Sequence, residues 1–425
     1  MNTLTVNELF SGIGAQVSAL QRLGIPYNIV HTSDIDKDAV LSYASVHCGL
    51  TEEMINSYAD YPTREQMARE LTEINLGYNF KENKPYNWFK FLNRKTKYIE
   101  KYWLACKLSK NIGDISKVQN IEYADFWTYS FPCTDISVAG KQNGIIQGKT
   151  RSGLLYEVRR LLETAKGNNT LPKYLMLENV KNLVGKKFKS QFDEWIKWLD
   201  ELGFNTYWQI LNAKDYGIPQ NRERVFAISV RKDIDDGSFA FPQPFDNGVR
   251  LVNVLDNVVE DKYYLSDKMV EGFIKHNANH EAKGTGFIWK PRDQNGVAST
   301  LRANAALSAT DNTVVIQKSH GFNKGGTFDN CPSITTSSWQ ENNYVQTKDN
   351  ANIAEENIRI RKLTPKECWR LMGFTDEQFA KAQSACSDSQ LYKQAGNSIV
   401  VDVLYYIFAN LFEVDVENFI QPQQE

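Results

Sequence analysis

A chain of 425 residues, 42% hydrophobic and 24% charged, has room for a large core and a second domain. Its formal net charge of −2 argues against a polycation, so a grip on a polyanion has to come from local clusters of lysine and arginine. Six scattered cysteines with no C-x-x-C pair suggest neither zinc nor a disulfide framework, and no run reaches the ~18 apolar residues of a membrane helix.

Leu4 to Phe10 reads as a first strand, Ser11-Gly12-Ile13-Gly14 as a turn, and Ala15 to Leu23 as a helix closed by Gly24. Tyr27 to Thr32 is a second strand, and a helix begins near Asp34 to Asp36, where acidic residues favour its first turn. Residues 51–110 break this rhythm as a charged, aromatic and partly helical insert with no functional assignment. Strands follow at Asp125 to Phe131, Tyr174 to Leu177, Asn205 to Leu211 and Arg224 to Val230. Phe188, Phe192, Trp195, Leu199 and Leu202 recur at helical spacing, which reads as a core stripe. The alternation predicts an α/β fold, a Rossmann-like parallel sheet with covering helices, over residues 1–240. From Phe241-Pro242-Gln243-Pro244 the composition turns to Asn, Thr, Ser and Gly, with few long helical periods. It predicts a smaller, mostly β and loop domain over 241–379, with β-like runs at Thr313 to Gln317 and Tyr344 to Gln346. Pro365 to Met372 and Ile399 to Leu411 read as helices, and 380–425 as a segment returning to the first domain.

The chemistry-bearing residues stand at the ends of these elements. Cys133 follows Pro132 after the apolar run Phe126-Trp127-Thr128-Tyr129, where open α/β sheets keep their sites. It is either a buried small hydrophobe or a nucleophile activated by nearby cations. Gly140, Gly144 and Gly148 make the following segment a closing loop or an ordinary surface loop. Glu178 ends an apolar strand, so desolvation raises its pKa and suits it to proton donation, unless it is a structural partner of Arg222 or Arg224. Those two arginines flank Glu223, so one strand would carry both on one face, either for an anion or carbonyl oxygen of a substrate or as part of a surface ion-pair network. Phe10-Ser11-Gly12-Ile13-Gly14 is either a turn similar to nucleotide-binding ones or one whose glycines serve tight packing, and Asp34, at the second strand's end, stands where such folds place a carboxylate for ribose hydroxyls. Lys181, Lys186, Lys187 and Lys189 form a local cationic stretch.

Read in order, these segments resemble the motifs of the cytosine-C5 DNA methyltransferases. The most specific are Pro132-Cys133, Glu178-Asn179-Val180, Asp215 through Arg224, Arg361-x-Leu363-Thr364 through Phe374, and Gln394-x-Gly396-Asn397-Ser398. The resemblance runs from Phe10 to Ser398, apart from the insert and the variable middle domain. It implies S-adenosyl-L-methionine as cofactor, double-stranded DNA as substrate, and methylation at C5 of a cytosine flipped from the duplex. Cys133 then adds to C6, Glu178 contacts N3 and the amino group, Arg222 touches the cytosine carbonyl, and Arg224 orients Glu178 or the loop.

Cofactor contacts carry over to Phe10, Gly12, Gly14, Asp34, Ile35, Asp114, Ile115, Pro132, Leu154, Asn397 and Ser398. DNA contacts carry over to Ser137 in the loop and Thr335 in the middle, target-recognition domain. No metal is implied. Thr134 stands where the family usually has glutamine, and Asp34 where it usually has glutamate. A restriction-modification setting with a separately acting endonuclease, a monomer, and a cytoplasmic location without membrane attachment are the accompanying expectations. The alternatives are a tRNA cytosine-C5 methyltransferase and a catalytically silent DNA-binding relative.

Overall fold

The computed structural model describes residues 2–79, 82–133, 135–137, 143–283, 295–301, 313–317 and 358–416. The first strand, β1 (Leu4–Leu9), leads through the glycine turn into α1 (Ala15–Arg22), β2 (Tyr27–Ser33) and α2 (Lys37–His47). The Asp36 side chain caps α2 by accepting from the backbone N–H groups of Asp38 and Ala39. The insert folds as α3 (Glu52–Ser57), α4 (Arg64–Glu73), a short 3-10 turn at Trp88–Phe91, and α5 (Tyr98–Ser109). After it come β3 (Phe126–Tyr129), α6 (Leu155–Gly167), β4 (Tyr174–Val180), α7 (Lys189–Leu202) and β5 (Phe204–Asn212). Two further strands are β6 (Gln220–Asn221) and β7 (Glu223–Arg231).

Six of these strands form one sheet in the order β2-β1-β3-β4-β7-β5. The pairs among β2, β1, β3 and β4 are parallel, whereas β7 runs antiparallel to both β4 and β5. The expected parallel sheet is therefore mostly parallel, with one reversed strand, and the six predicted strands lie within it. Both faces are covered, which explains the near-continuous apolar strands. Phe126, Met176, Phe226 and Ile228 face a core shared with α1 and the C-terminal helices. Their neighbours Trp127, Leu175, Leu177, Val225 and Ala227 face α6 and α7. The stripe Phe188, Phe192, Trp195, Leu199 and Leu202 is wholly buried there.

The middle region departs from its expected β and loop character, because α8 (Asp267–Lys283) is a helix of 17 residues. Short strands β8 (Ala298–Ser299) and β9 (Thr313–Gln317) follow, and β9 pairs antiparallel with β10 (Ile358–Lys362). The expected run Tyr344 to Gln346 lies outside the described residues. The chain ends with α9 (Pro365–Arg370), α10 (Asp376–Gln383), α11 (Asp388–Asn397) and α12 (Val401–Leu411). Thr364 and Glu367 close a reciprocal cap at the start of α9. Leu363, Trp369, Met372, Phe374 and Phe379 join the core that holds Val6 and Phe126, so the return to the first unit begins well before residue 380.

Arg361 and Glu367 anchor that return. The Arg361 guanidinium donates to both Glu367 oxygens, at 2.8 and 2.7 Å, and both side chains are 0% exposed. Glu367 also accepts from the N–H groups of Thr364 and Asp256, so this buried pair has the extra hydrogen bonds that ion burial needs. Among the described residues no helix is long and apolar enough to cross a membrane.

Candidate active site

Cys133 sits in a tight turn just beyond β3, held from several directions. Asn179 Nδ2 donates to Phe131 O at 2.9 Å, and the Ser152 hydroxyl donates to Pro132 O at 2.6 Å. Cys133 O accepts from the N–H groups of Ile136 and Ser137, and Asn182 Nδ2 donates to Ile136 O. The Asp135 carboxylate accepts from the N–H groups of Arg151 and Ser152, while Gln191 of α7 bonds both N–H and C=O of Ile145. Ser137 lies in this turn. Residues 138–142 of the expected closing loop lie outside the described residues. Residues 133 and 135–137 and the flank 143–152 are thus fixed to the strand end and to α7.

Glu178 is 8% exposed and lies opposite Phe226 in the β4–β7 register. Arg224 is two residues from Phe226 on the same face, a diagonal neighbour, and its Nε approaches Glu178 Oε1 at 3.2 Å. Burial pushes the Glu178 carboxyl up, opposed by the charges of Arg224 and Arg222. Burial and the negative charge of Glu178 push the Cys133 thiol up, again opposed by Arg224 and Arg222. The four side chains expected to act together are therefore close enough to feel one another.

The two arginines do not share a strand as the spacing suggested. Arg222 falls in the break between β6 and β7, where its N–H donates to Asn212 Oδ1. It is 3% exposed, with terminal nitrogens donating to Leu301 O at 2.8 Å, Gly396 O at 3.1 Å and Ser398 O at 2.7 Å. Its Nε has no hydrogen-bond partner among the described residues. Arg222 ties the start of β7 to the middle region and to the C-terminal motif. Arg224 is the guanidinium that meets Glu178.

Several of the expected cofactor residues meet at the neighbouring strand ends. Phe10 and Gly12 both have positive φ, at 59° and 56°, so the chain turns sharply out of β1. Gly14 has φ 79°, and a Cβ there would collide with His47 and Tyr43, so that close approach requires glycine. Gly12 N–H donates to Asp34 Oδ2 at 2.9 Å and Asp36 N–H to Asp34 Oδ1 at 2.8 Å. Burial and the Asp36 charge push Asp34 up to about 6. Asn111 bonds the backbone of Asp34 on both N–H and C=O. From α11, Lys393 reaches Asp36 and Gln394 reaches Asp38 O, which brings the end of that helix, Asn397 and Ser398, toward the same corner. Ile115 is buried, and Leu154 closes the short turn before α6. Thr335 lies outside the described residues. Asn179, Asn182, Ser152, Asp135 and Gln191 had no assigned role in the sequence. A signal was present only for the two asparagines, polar residues at and just beyond an apolar strand's end.

Glu8, one residue before the end of β1, is buried, and burial raises its carboxyl to about 7 against the opposing hydrogen bond from the Tyr43 hydroxyl. A raised folded value favours the fold below the unfolded carboxylate range, and that contribution is lost as pH rises through about 7. From 4.5 to about 7 the linked stability is about 3 kcal/mol. Urea unfolding at pH 5.5 and pH 8 should therefore show the wild type losing more stability than Glu8→Gln over that interval. Parallel pH profiles for the two proteins would refute this assignment.

A family model described as C-5 cytosine-specific DNA methylase matches residues 76–413. The chain is 36% identical over 426 residues to the type II methyltransferase M2.ScrFI of Lactococcus lactis subsp. cremoris, covering 96% of this chain and 99% of that protein. It is 29% identical to the orphan methyltransferase M.SssI of Spiroplasma monobiae, over 94% of this chain and 95% of the relative. Among solved structures, the S. pombe Dnmt2 methyltransferase matches with a TM-score of 0.57 at 19% identity, covering 96% of this chain and 98% of that one. This last likeness is one of fold.

Proposed function

This chain belongs to the C-5 cytosine-specific DNA methylase family and is a DNA cytosine-5-methyltransferase, and from that premise we propose that Cys133, Glu178 and Arg224 carry out the reaction on a flipped cytosine in double-stranded DNA. The single observation that carries the assignment is the buried Glu178 paired with Arg224, Nε to Oε1 at 3.2 Å, at a strand end next to the one that leads into Cys133.

Cytosine C5 is a weak nucleophile until a group adds at C6. The Cys133 thiolate forms a bond to C6, the ring's electron pair shifts toward N3, and Glu178 delivers its proton there. C5 thereby gains enamine character. Once C5 carries the methyl group, a solvent base takes the C5 proton, the sulfur–C6 bond breaks to return the thiolate, and N3 hands its proton back to Glu178. The two acids suit this exchange. Burial and ionised Glu178 both disfavour the thiolate, and protonation of Glu178 removes the second of these, leaving the thiolate facing two guanidiniums. Arg224, on the face of Glu178, is the donor we assign to the cytosine carbonyl. Arg222, bound to three backbone carbonyls, positions the site, which divides the two arginines differently from the sequence expectation.

S-adenosyl-L-methionine fits the neighbouring corner. A Cβ on Gly12 would meet no atom within 4 Å, so the backbone there faces open space, and Asp34 and Asp114 retain acceptor capacity. Phe10, Gly12, Gly14, Asp34, Ile35, Asp114, Ile115, Pro132, Leu154, Asn397 and Ser398 would hold it. Bound there it supplies an electrophilic sulfonium methyl group.

We assign target recognition to the region from residue 241 to about 357, including Thr335, and phosphate contacts to Ser137, Lys186 and Lys187. Likeness to relatives named as type II methyltransferases supports a restriction-modification role. Bisulfite sequencing of DNA from a strain expressing the protein should give protected cytosines within one short recurring sequence. Absence of protection, together with methylation of tRNA, would overturn the reading.

A further inference from the structure

Residues 51–110 lacked an assignment, yet the turn after α4 reaches the cofactor corner. α4 stops at Glu73 with Ile74 as its cap, and Asn75 follows in the left-handed region with φ 56°. Asparagine adopts that conformation more readily than most residues. Asn75 N–H donates to Thr72 O and Leu76 N–H to Leu71 O, which closes the helix and fixes the turn.

Three contacts then join this turn to the loops bearing Ile35 and Asp114. Gly77 N–H donates to Ile35 O at 2.7 Å, and Asp114 N–H donates to Ile74 O at 3.0 Å. Asn75 Nδ2 donates to Asp114 Oδ2 at 2.8 Å. A Cβ on Gly113 would stand 2.1 Å from Ile74 O, so the two backbones touch directly.

The Asp114 carboxylate can be counted atom by atom. Oδ1 accepts from Ser116 N–H at 2.9 Å and from the Ser116 hydroxyl at 2.7 Å. Oδ2 accepts from Asn75 alone. A carboxylate offers about four acceptor positions, so one remains, on Oδ2 beside the Asn75 amide. Asp114 is half-buried, and the three hydrogen bonds fix its rotation.

We propose that Asn75 is a positioning residue for the cofactor, aiming the last acceptor of Asp114 at the exocyclic amine of the purine and so selecting an amino purine over its keto counterpart. This rests on the reading of Asp114 as a cofactor contact. A keto purine would set a carbonyl oxygen against the carboxylate, leaving two acceptors facing without a proton between them. Sites built around such a hydrogen bond reject analogues that cannot make it.

Titration calorimetry on the full chain tests the proposal with S-adenosylhomocysteine and S-inosylhomocysteine, using wild type, Asn75→Gly and Asp114→Asn. Glycine keeps the left-handed turn and removes only the amide. Asn75→Gly should weaken the adenosyl compound about tenfold and the inosyl compound little, so that the preference collapses, in line with losing a hydrogen bond to a charged group. The melting temperature should hold, and the loss should fall on cofactor KM rather than on kcat. Equal weakening of both compounds, or no weakening while Asp114→Asn still impairs the adenosyl compound, would overturn the role of Asn75 alone. If Asp114→Asn leaves both affinities unchanged, Asp114 is no cofactor contact and the proposal falls with that reading.

Discussion

Replacing Cys133 by serine is expected to lower kcat by at least about 10³-fold, the scale on which enzymes lose a covalent nucleophile. The reason is the missing polarizable thiolate. A serine hydroxyl in the same half-buried turn, facing the same carboxylate, holds its proton far more tightly and cannot add to C6 at neutral pH. The turn itself should survive, because it is fixed by Asn179, Ser152, Asn182 and backbone groups rather than by the sulfur. Cofactor affinity should therefore match that of the wild type, since none of the residues proposed to hold the cofactor depends on the sulfur for its place. Appreciable turnover in Cys133→Ser, or a loss confined to cofactor binding, would remove the cysteine from the reaction.

Glu178→Gln should lower kcat by about 10²- to 10⁴-fold, the range for removing a positioned general acid, while DNA affinity changes little. Glutamine keeps the shape and can still donate a hydrogen bond, but it carries no proton that leaves. A second consequence separates this role from a structural one. The negative charge of Glu178 is one of the causes holding the Cys133 thiol up, so its removal should let the thiol ionise at lower pH. The pH profile of iodoacetamide alkylation at Cys133 should therefore move to lower pH in Glu178→Gln, even as methylation slows. A pure loss of DNA affinity with an unmoved alkylation profile would make Glu178 a structural partner of Arg224.

The strands were legible because both sheet faces are buried. Tyr174 to Leu177 and Val225 to Ile228 read as unbroken apolar runs, and such runs between turn residues leave little choice of element. The motif residues were legible for a related reason: chemistry in this fold sits at strand ends, and Cys133, Glu178 and Arg224 all stand there. What spacing could not reveal was the break after Asn221. The pattern Arg-Glu-Arg alternates as a strand would, but Arg222 leaves the ladder to bind carbonyls of Leu301, Gly396 and Ser398, far away in sequence. Long-range polar contacts have no period. The helix Asp267–Lys283 was missed because its apolar residues are sparse among polar ones. Leu363 to Phe379 were assigned to the middle domain because composition says nothing about which core a side chain joins. The role of Asn75 was invisible for the same reason as that of Arg222, since it depends on a partner 39 positions away.

The central claim is a transient bond between the Cys133 sulfur and C6 of cytosine, and a duplex carrying 5-fluorocytosine at the methylated position tests it most directly. Fluorine replaces the proton that must leave C5, so the sulfur–carbon bond cannot break after methyl transfer. With cofactor present, the account expects a denaturant-resistant protein–DNA adduct whose cross-linked peptide contains Cys133, and no adduct with Cys133→Ser. An adduct mapped to a different residue, or an enzyme that methylates ordinary cytosine at the same site yet is never trapped by the fluorinated base, would contradict it.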